Sequence, residues 1–207
     1  MEKRLKVIDK FKDFIRIVIA PEITITRKRA NAILHTERLR FSEGFEKTVN
    51  LITKRCVGEK NKLIFIGNGG SAAIASHQAL DFFLNLNIDA RAFNDGPFLT
   101  CMANDFGFEN VFEKPIQIIA QAGDVLAAIS SSGKSPNILK AIEAANRKRC
   151  FVITMSGFKS DNPLRKMGNI NFYVSSHSYR YVEAAHSLYW DFILELLIDQ
   201  EYEKIKK

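Results

Sequence analysis

From Lys62 onward the chain alternates short apolar runs with stretches long enough for helices. That alternation predicts an α/β fold, a three-layer αβα sandwich around a five-stranded parallel sheet. Two further observations support it. The runs Leu63–Ile66, Ala90–Phe93, Val125–Ile129, Phe151–Met155 and Ile170–Val174 are continuous rather than alternating, as in strands covered on both faces. The intervening stretches, Ser71–Leu84, Pro97–Gln121 and Ser135–Lys148, have the length of crossover helices.

Taken in order, two amphipathic helices are expected first. In one, Ile8, Phe11, Ile15 and Val18 recur at three- and four-residue steps until Pro21 ends the pattern. In the other, Phe41, Phe45, Val49, Ile52 and Cys56 share a face, with Gly44 tolerated at a cost of about 1 kcal/mol. Both apolar faces need cover. Residues 1–60 are therefore read as N-terminal helices packing on the core and on neighbouring subunits, and 61–207 as the main domain. A long helix from about Tyr179 to Lys206 closes the chain. No internal repeat or low-complexity segment interrupts the pattern.

At 207 residues, 46% apolar and 26% charged, the chain has the composition of an ordinary globular protein. A chain of this size buries roughly 70% of its unfolded surface and needs no disulfide or metal to fold. Cys56, Cys101 and Cys150 are far apart and form no C-x-x-C pair, so they are expected to be small buried hydrophobes in a reducing compartment. No apolar stretch approaches the ~20 residues that span a bilayer. The N-terminal apolar run is too short for a signal segment, and a cytoplasmic protein is expected. The net charge of +7 is scattered, with small clusters at Arg27–Arg29 and at Arg38 and Arg40. No nucleic-acid motif accompanies it, so solvated helix faces are expected rather than a nucleic-acid partner.

In an open parallel sheet, ligands bind outside the carboxyl ends of the strands. The first strand is followed by Gly67-Asn68-Gly69-Gly70-Ser71 at the start of a helix. Glycines let the backbone approach a ligand, and a helix N-terminus offers free N–H groups. A tight turn alone explains such a run equally well, and no Walker A lysine follows, so no nucleotide cofactor is expected. The third strand runs into Ser130-Ser131-Ser132-Gly133-Lys134-Ser135, then Pro136 and a helix. One capping serine does not need three more beside it. Four hydroxyls, a glycine and a lysine at a helix N-terminus point to a phosphate site.

These loops, with Ala-Asn-Asp-Phe-Gly-Phe-Glu at 103–109 and Ala-Gly-Asp-Val-Leu at 122–126, resemble the sugar isomerase (SIS) domain. Within that family the likeness is to the phosphoheptose isomerases, which convert sedoheptulose 7-phosphate to a manno-heptose 7-phosphate at the start of bacterial heptose synthesis. A non-catalytic branch, the tetrameric proteins that bind the bacterial replication initiator, shares the fold. A phosphosugar- or protein-binding module is thus the alternative to an enzyme.

The resemblance implies a homotetramer acting on a sugar phosphate. It places Ser130, Ser131, Ser132 and Ser135 on the phosphate, and Asn68, Gly69, Gly70 and Ser71 on the sugar. Asp95 matches a substrate-contacting acid, although Asn94-Asp95-Gly96-Pro97 also reads as an ordinary turn. His77, Asp81, Glu183 and Asp191 stand where the family builds a divalent-metal site that resembles a zinc site. Three of these positions depart from the usual pattern: Asp81 replaces a Glu, Asp191, the most serious departure, replaces the catalytic His, and Glu183 replaces a Gln.

Aldose–ketose isomerisation needs a base near neutral pKa, and a carboxylate serves only where burial or a neighbouring acid raises its pKa. Asp81 is the preferred base, with Asp191 or His186 as partner. His186 itself reads two ways, as a satisfied interface histidine or as the replacement base. The aromatic cluster Tyr189, Trp190 and Phe192 reads as core or interface packing.

Overall fold

The computed structural model describes residue 10, residues 12–29 and residues 32–205. Ile8 and Phe11, on the first expected helical stripe, lie outside the described residues. Helical residues 12–18 (α1) are followed by β1 (Glu22–Arg29), β2 (Ala32–Leu39), α2 (Phe41–Ile52) and a π-helical turn, Thr53–Gly58. The alternating unit then runs β3 (Leu63–Gly67), α3 (Gly70–Leu86), β4 (Ala90–Ala92), α4 (Gly96–Phe106), α5 (Glu113–Ile119), β5 (Val125–Ser130), α6 (Pro136–Arg147), β6 (Phe151–Ser156), β7 (Ile170–Tyr173) and α7 (Tyr179–Ile205).

All five expected strands are present and parallel, in the order β4-β3-β5-β6-β7. Two more strands extend the sheet, which has seven in the order β2-β1-β7-β6-β5-β3-β4. The hairpin β1–β2 corrects the expectation that residues 1–60 are helices, since it fills the stretch between the two helical patterns with strands. Its β1 lies antiparallel to β7, with Ile23 opposite Phe172 and Ile25 opposite Ile170. The run Glu22-Ile23-Thr24-Ile25-Thr26 is rich in β-branched residues, which fit a pleated surface. Docking there covers the unpaired edge that β7 would otherwise present.

Successive side chains of each central strand enter opposite layers. Leu63, Phe65, Val125, Ala127 and Ile129 join the layer formed with α2, α3 and α7, around Phe45, Phe82 and Trp190. Ile64, Ile66, Leu126 and Ala128 join the layer formed with α5 and α6, around Phe112, Ile116, Ile138 and Ile142. Trp190 is fully buried, edge-on to Phe65 with ring centroids 4.9 Å apart. Tyr189 donates to the Val18 carbonyl at 2.7 Å. Packing thus accounts for both rings, while Phe192 remains 40% exposed. Cys56 and Cys150 are buried as expected; Cys101 is instead exposed on α4, with its thiol on the Asp105 carboxylate.

At the amino ends of the strands, buried Asp124 accepts the Lys62 and Gln121 amides at 2.9 and 2.8 Å and pairs with Lys62 Nζ at 3.0 Å. The family-like Gly123-Asp124 turn is thus a structural latch. It leaves the carboxyl ends of β3 and β5 free for ligand.

Candidate active site

The loops after β3 and β5 meet in a cavity of about 110 Å³ lined by Asn68, Ser71, Ser130, Ser131, Ser132, Ser135, Tyr179 and Glu183. The serine loop is built as an anion site would be. Ser130 Oγ and Ser135 Oγ lie 3.3 Å apart, and Ser135 precedes the first turn of α6 with Pro136 inside it. Ser131 is 4% exposed, and its hydroxyl has no hydrogen-bond partner among the described residues. A buried hydroxyl left unpaired is costly unless something else binds it. It lines the cavity where an anion would do so.

The loop is held from behind by the segment after β6. Gly157 N donates to the Ser131 carbonyl at 3.0 Å, and Leu164 N to the Gly133 carbonyl at 3.2 Å. Gly133 has φ +63°, and the Asn162 amide packs where a β-carbon would sit. Asn162 is itself fully buried, donating to the Gly157 and Lys159 carbonyls at 3.1 and 2.8 Å and accepting from Arg165 N at 3.1 Å. Glycine is required at this position on both grounds, backbone angle and space.

The other wall is the start of α3. Gly70 occupies its first turn, and Glu183, near the start of α7, rests its carboxylate there: a β-carbon on residue 70 would lie 2.5 Å from Glu183 Oε2. A carboxylate at a helix N-terminus is favoured by the unpaired N–H groups and the macrodipole. Gly67 through Ser71 therefore shape a wall in which an acidic side chain faces four serine hydroxyls. A carboxylate only accepts hydrogen bonds, so its ligand partner must be a donor, as a sugar hydroxyl is.

Helices α3 and α7 run side by side in the same direction. Eight residues on from the contact between Gly70 and Glu183, Gln78 Nε2 donates to Asp191 Oδ1 at 2.6 Å. Eight residues of helix amount to about 12 Å. His77 and Asp81, an i,i+4 pair with Nε2 and Oδ2 3.2 Å apart, lie before and after Gln78 along α3, on the helix face that starts at Gly70. Asp191 thus meets α3 through Gln78, His77 pairs with Asp81, and Glu183 lies with the serines at the start of α3. The four expected metal positions are spread over this length. Among the described residues no group of three or more His, Cys, Asp or Glu could hold a metal ion. The expected four-residue metal shell does not form within one chain.

Two further expectations change. His186 is fully buried, with Nε2 at 3.3 Å from the Ser156 carbonyl. Burial pushes its pKa down to about 4, opposed by that carbonyl contact, so it is a neutral core histidine and not the replacement base. Asp95 caps α4, accepting from Phe98 N at 3.1 Å, and is absent from the cavity lining. The turn reading holds for it, worth about 1 kcal/mol as a cap.

Sequence reasoning missed Asn137, Asn162 and Tyr179. Tyr179 lines the cavity and meets the Phe158 ring edge-on at 4.7 Å. A tyrosine opening a helix carries no local signal of that role.

The fold is a mostly parallel α/β sheet with a serine-lined cavity at the carboxyl ends of its strands, and known proteins share that fold. The chain belongs to the SIS domain family, whose model matches residues 27–157. A phosphoheptose isomerase of Citrifermentans bemidjiense is 31% identical over 80% of this chain and 88% of its own length. One from Nitratidesulfovibrio vulgaris is 36% identical, over 56% of this chain and 60% of its own length. The solved structure of phosphoheptose isomerase GmhA from Neisseria gonorrhoeae superposes with a TM-score of 0.75 at 27% identity, covering 94% of this chain and 98% of that one.

Proposed function

We propose that this chain is a phosphosugar isomerase, interconverting the ketose and aldose forms of sedoheptulose 7-phosphate or a related sugar phosphate for surface-polysaccharide synthesis. The observation that supports it best is the spacing along α3. The serine cavity lies against the first turn of α3, and from Gly70 in that turn His77 and Asp81 follow on one face about 10 and 16 Å along the axis. An extended heptose 7-phosphate spans roughly 10 Å from phosphorus to its first carbon, counting six C–C bonds of about 1.5 Å. Phosphate in the serine loop puts the reacting carbons near His77.

In this reading Ser130, Ser131, Ser132 and Ser135 bind the phosphate oxygens, and Asn68, Gly69, Gly70, Ser71 and Glu183 meet the sugar. Asp81, held by His77, removes the proton from the carbon beside the carbonyl and returns it to the neighbouring carbon through an enediol. Asp191 is its partner for moving the proton between oxygens. Zinc or another divalent ion has no complete shell among the described residues of one chain. The proposed assembly is a homotetramer. Leu80, Phe83 and Leu84, at 54%, 54% and 65% exposure on α3, are an apolar surface for it to cover. No helix among the described residues is long and apolar enough to cross a membrane, and a cytoplasmic location is part of the same proposal.

The test is turnover of sedoheptulose 7-phosphate by the full chain, with and without added zinc. Asp81→Asn should lose at least about a hundredfold in turnover while keeping phosphate affinity. Unchanged turnover excludes Asp81 as base. A native protein that binds the sugar phosphate and forms no product under any condition is a binding module.

A further inference from the structure

Asn137 takes no part in the reading above, yet it is 1% exposed and joins the two ligand loops. Asn68 Nδ2 donates to Asn137 Oδ1 at 2.9 Å, and Asn137 Nδ2 donates back to Asn68 Oδ1 at 2.8 Å. Asn137 Oδ1 also accepts from Ile138 N at 3.0 Å, which fixes the amide's orientation in the first turn of α6. Asn68 lies in the loop after β3. The strands beneath, β3 and β5, are paired neighbours with Gly67 opposite Ile129. Two reciprocal hydrogen bonds therefore close a ring directly above the sheet, between the glycine loop and the serine loop.

Such a ring differs from an ordinary loop contact. Each amide supplies one donor and one acceptor to the other, so neither side chain can rotate without losing both bonds. With Asn137 buried and Asn68 half-buried, the bonds are partly shielded from water and break together. The ring thereby holds the Ser130–Ser135 hydroxyls at a set distance from Asn68, Gly70 and Glu183. A free anion needs only the serine loop. A ligand that reaches from the serines to Glu183 needs the spacing as well.

We propose that the Asn68–Asn137 amide pair is a positioning device that sets the span between the two loops, and so governs affinity for a phosphorylated sugar without governing affinity for free phosphate. It rests on the reading of the serine loop as the phosphate site. Asn137 is a positioning residue, acting on the ligand through Asn68.

The experiment is calorimetric titration of the full chain with inorganic phosphate and, separately, with sedoheptulose 7-phosphate, in native, Asn137→Leu, Asn68→Ala and doubly substituted forms. Leucine is close to asparagine in shape and adds no charge beside the anion; Asn137→Ala is the second variant if it fails to fold. The expected result is a loss of about tenfold or more in sugar-phosphate affinity for Asn137→Leu, two hydrogen bonds being at stake, with phosphate affinity within about twofold of native. The double variant should bind no more weakly than Asn68→Ala alone. Equal losses for both ligands, no loss for either, or full additivity in the double variant overturns the inference. Native protein that binds neither ligand overturns the site reading itself and the inference with it, an outcome separate from those three.

Discussion

The Glu183 carboxylate rests against the first turn of α3 at Gly70, so closely that residue 70 has no room for a β-carbon: one would lie 2.5 Å from Glu183 Oε2. The two residues are brought together from opposite ends of the domain. Their contact places the only carboxylate that lines the serine cavity among the described residues.

Gly70→Ala tests that placement. The methyl group must displace Glu183, while alanine suits a helical first turn, so the fold should survive with a Tm within a few degrees of native. Sugar-phosphate affinity should fall about tenfold, and inorganic phosphate should be affected less. Unchanged sugar-phosphate affinity would remove Glu183 from the ligand's surroundings.

Ser131→Ala should move stability and binding in opposite directions. Removing a buried hydroxyl that has no partner among the described residues is neutral or stabilises by up to about 1 kcal/mol. Phosphate affinity should nevertheless drop by about tenfold, one charge-assisted hydrogen bond. Denaturant unfolding and phosphate titration measure the two. A variant that is clearly less stable would mean Ser131 already has its partner within the protein.

His186 should make the fold acid-sensitive. Burial lowers its pKa from 6.5 to about 4. Between those pH values the unfolded chain binds a proton that the folded chain does not. Its contribution is therefore complete above about pH 6.5, declines as pH falls, and levels off below about pH 4, a total of about 3 kcal/mol. His186→Leu should flatten that part of the urea-stability profile between pH 7 and 4.5. Parallel profiles for native and variant would show that His186 is not held neutral.

Asp124→Asn should destabilise without touching the ligand. It strips a carboxylate from Lys62, whose side chain is only 14% exposed, and breaking such a pair costs about 3 kcal/mol. Phosphate affinity should be unchanged, because Asp124 lies at the amino ends of the strands. A loss under about 1 kcal/mol would show the pair to be effectively solvated.

The five parallel strands were legible because a strand covered on both faces must be apolar at every position, a constraint written in consecutive residues. The hairpin was not. In β1 Ile23 and Ile25 face the core, Thr24 and Thr26 on the other face are also half-buried or buried, and the end is Arg27-Lys28-Arg29, so neither strict alternation nor a continuous apolar run marks it. Its place beside β7 is a long-range pairing. The serine loop could be read for a local reason as well, since hydroxyls, glycine and proline at a helix N-terminus are adjacent in the chain.

Contiguous residues encode strand period, the order of strands and helices, and the run of Ser130, Ser131, Ser132 and Ser135 at the start of α6. What faces that run is settled by packing. Glu183 on Gly70, Asp191 on Gln78, His186 sealed in the core and Asn137 locked to Asn68 all depend on how helices and loops far apart in the chain come to rest against each other. Helical spacing says which residues share a face, but not which face of another element they will meet.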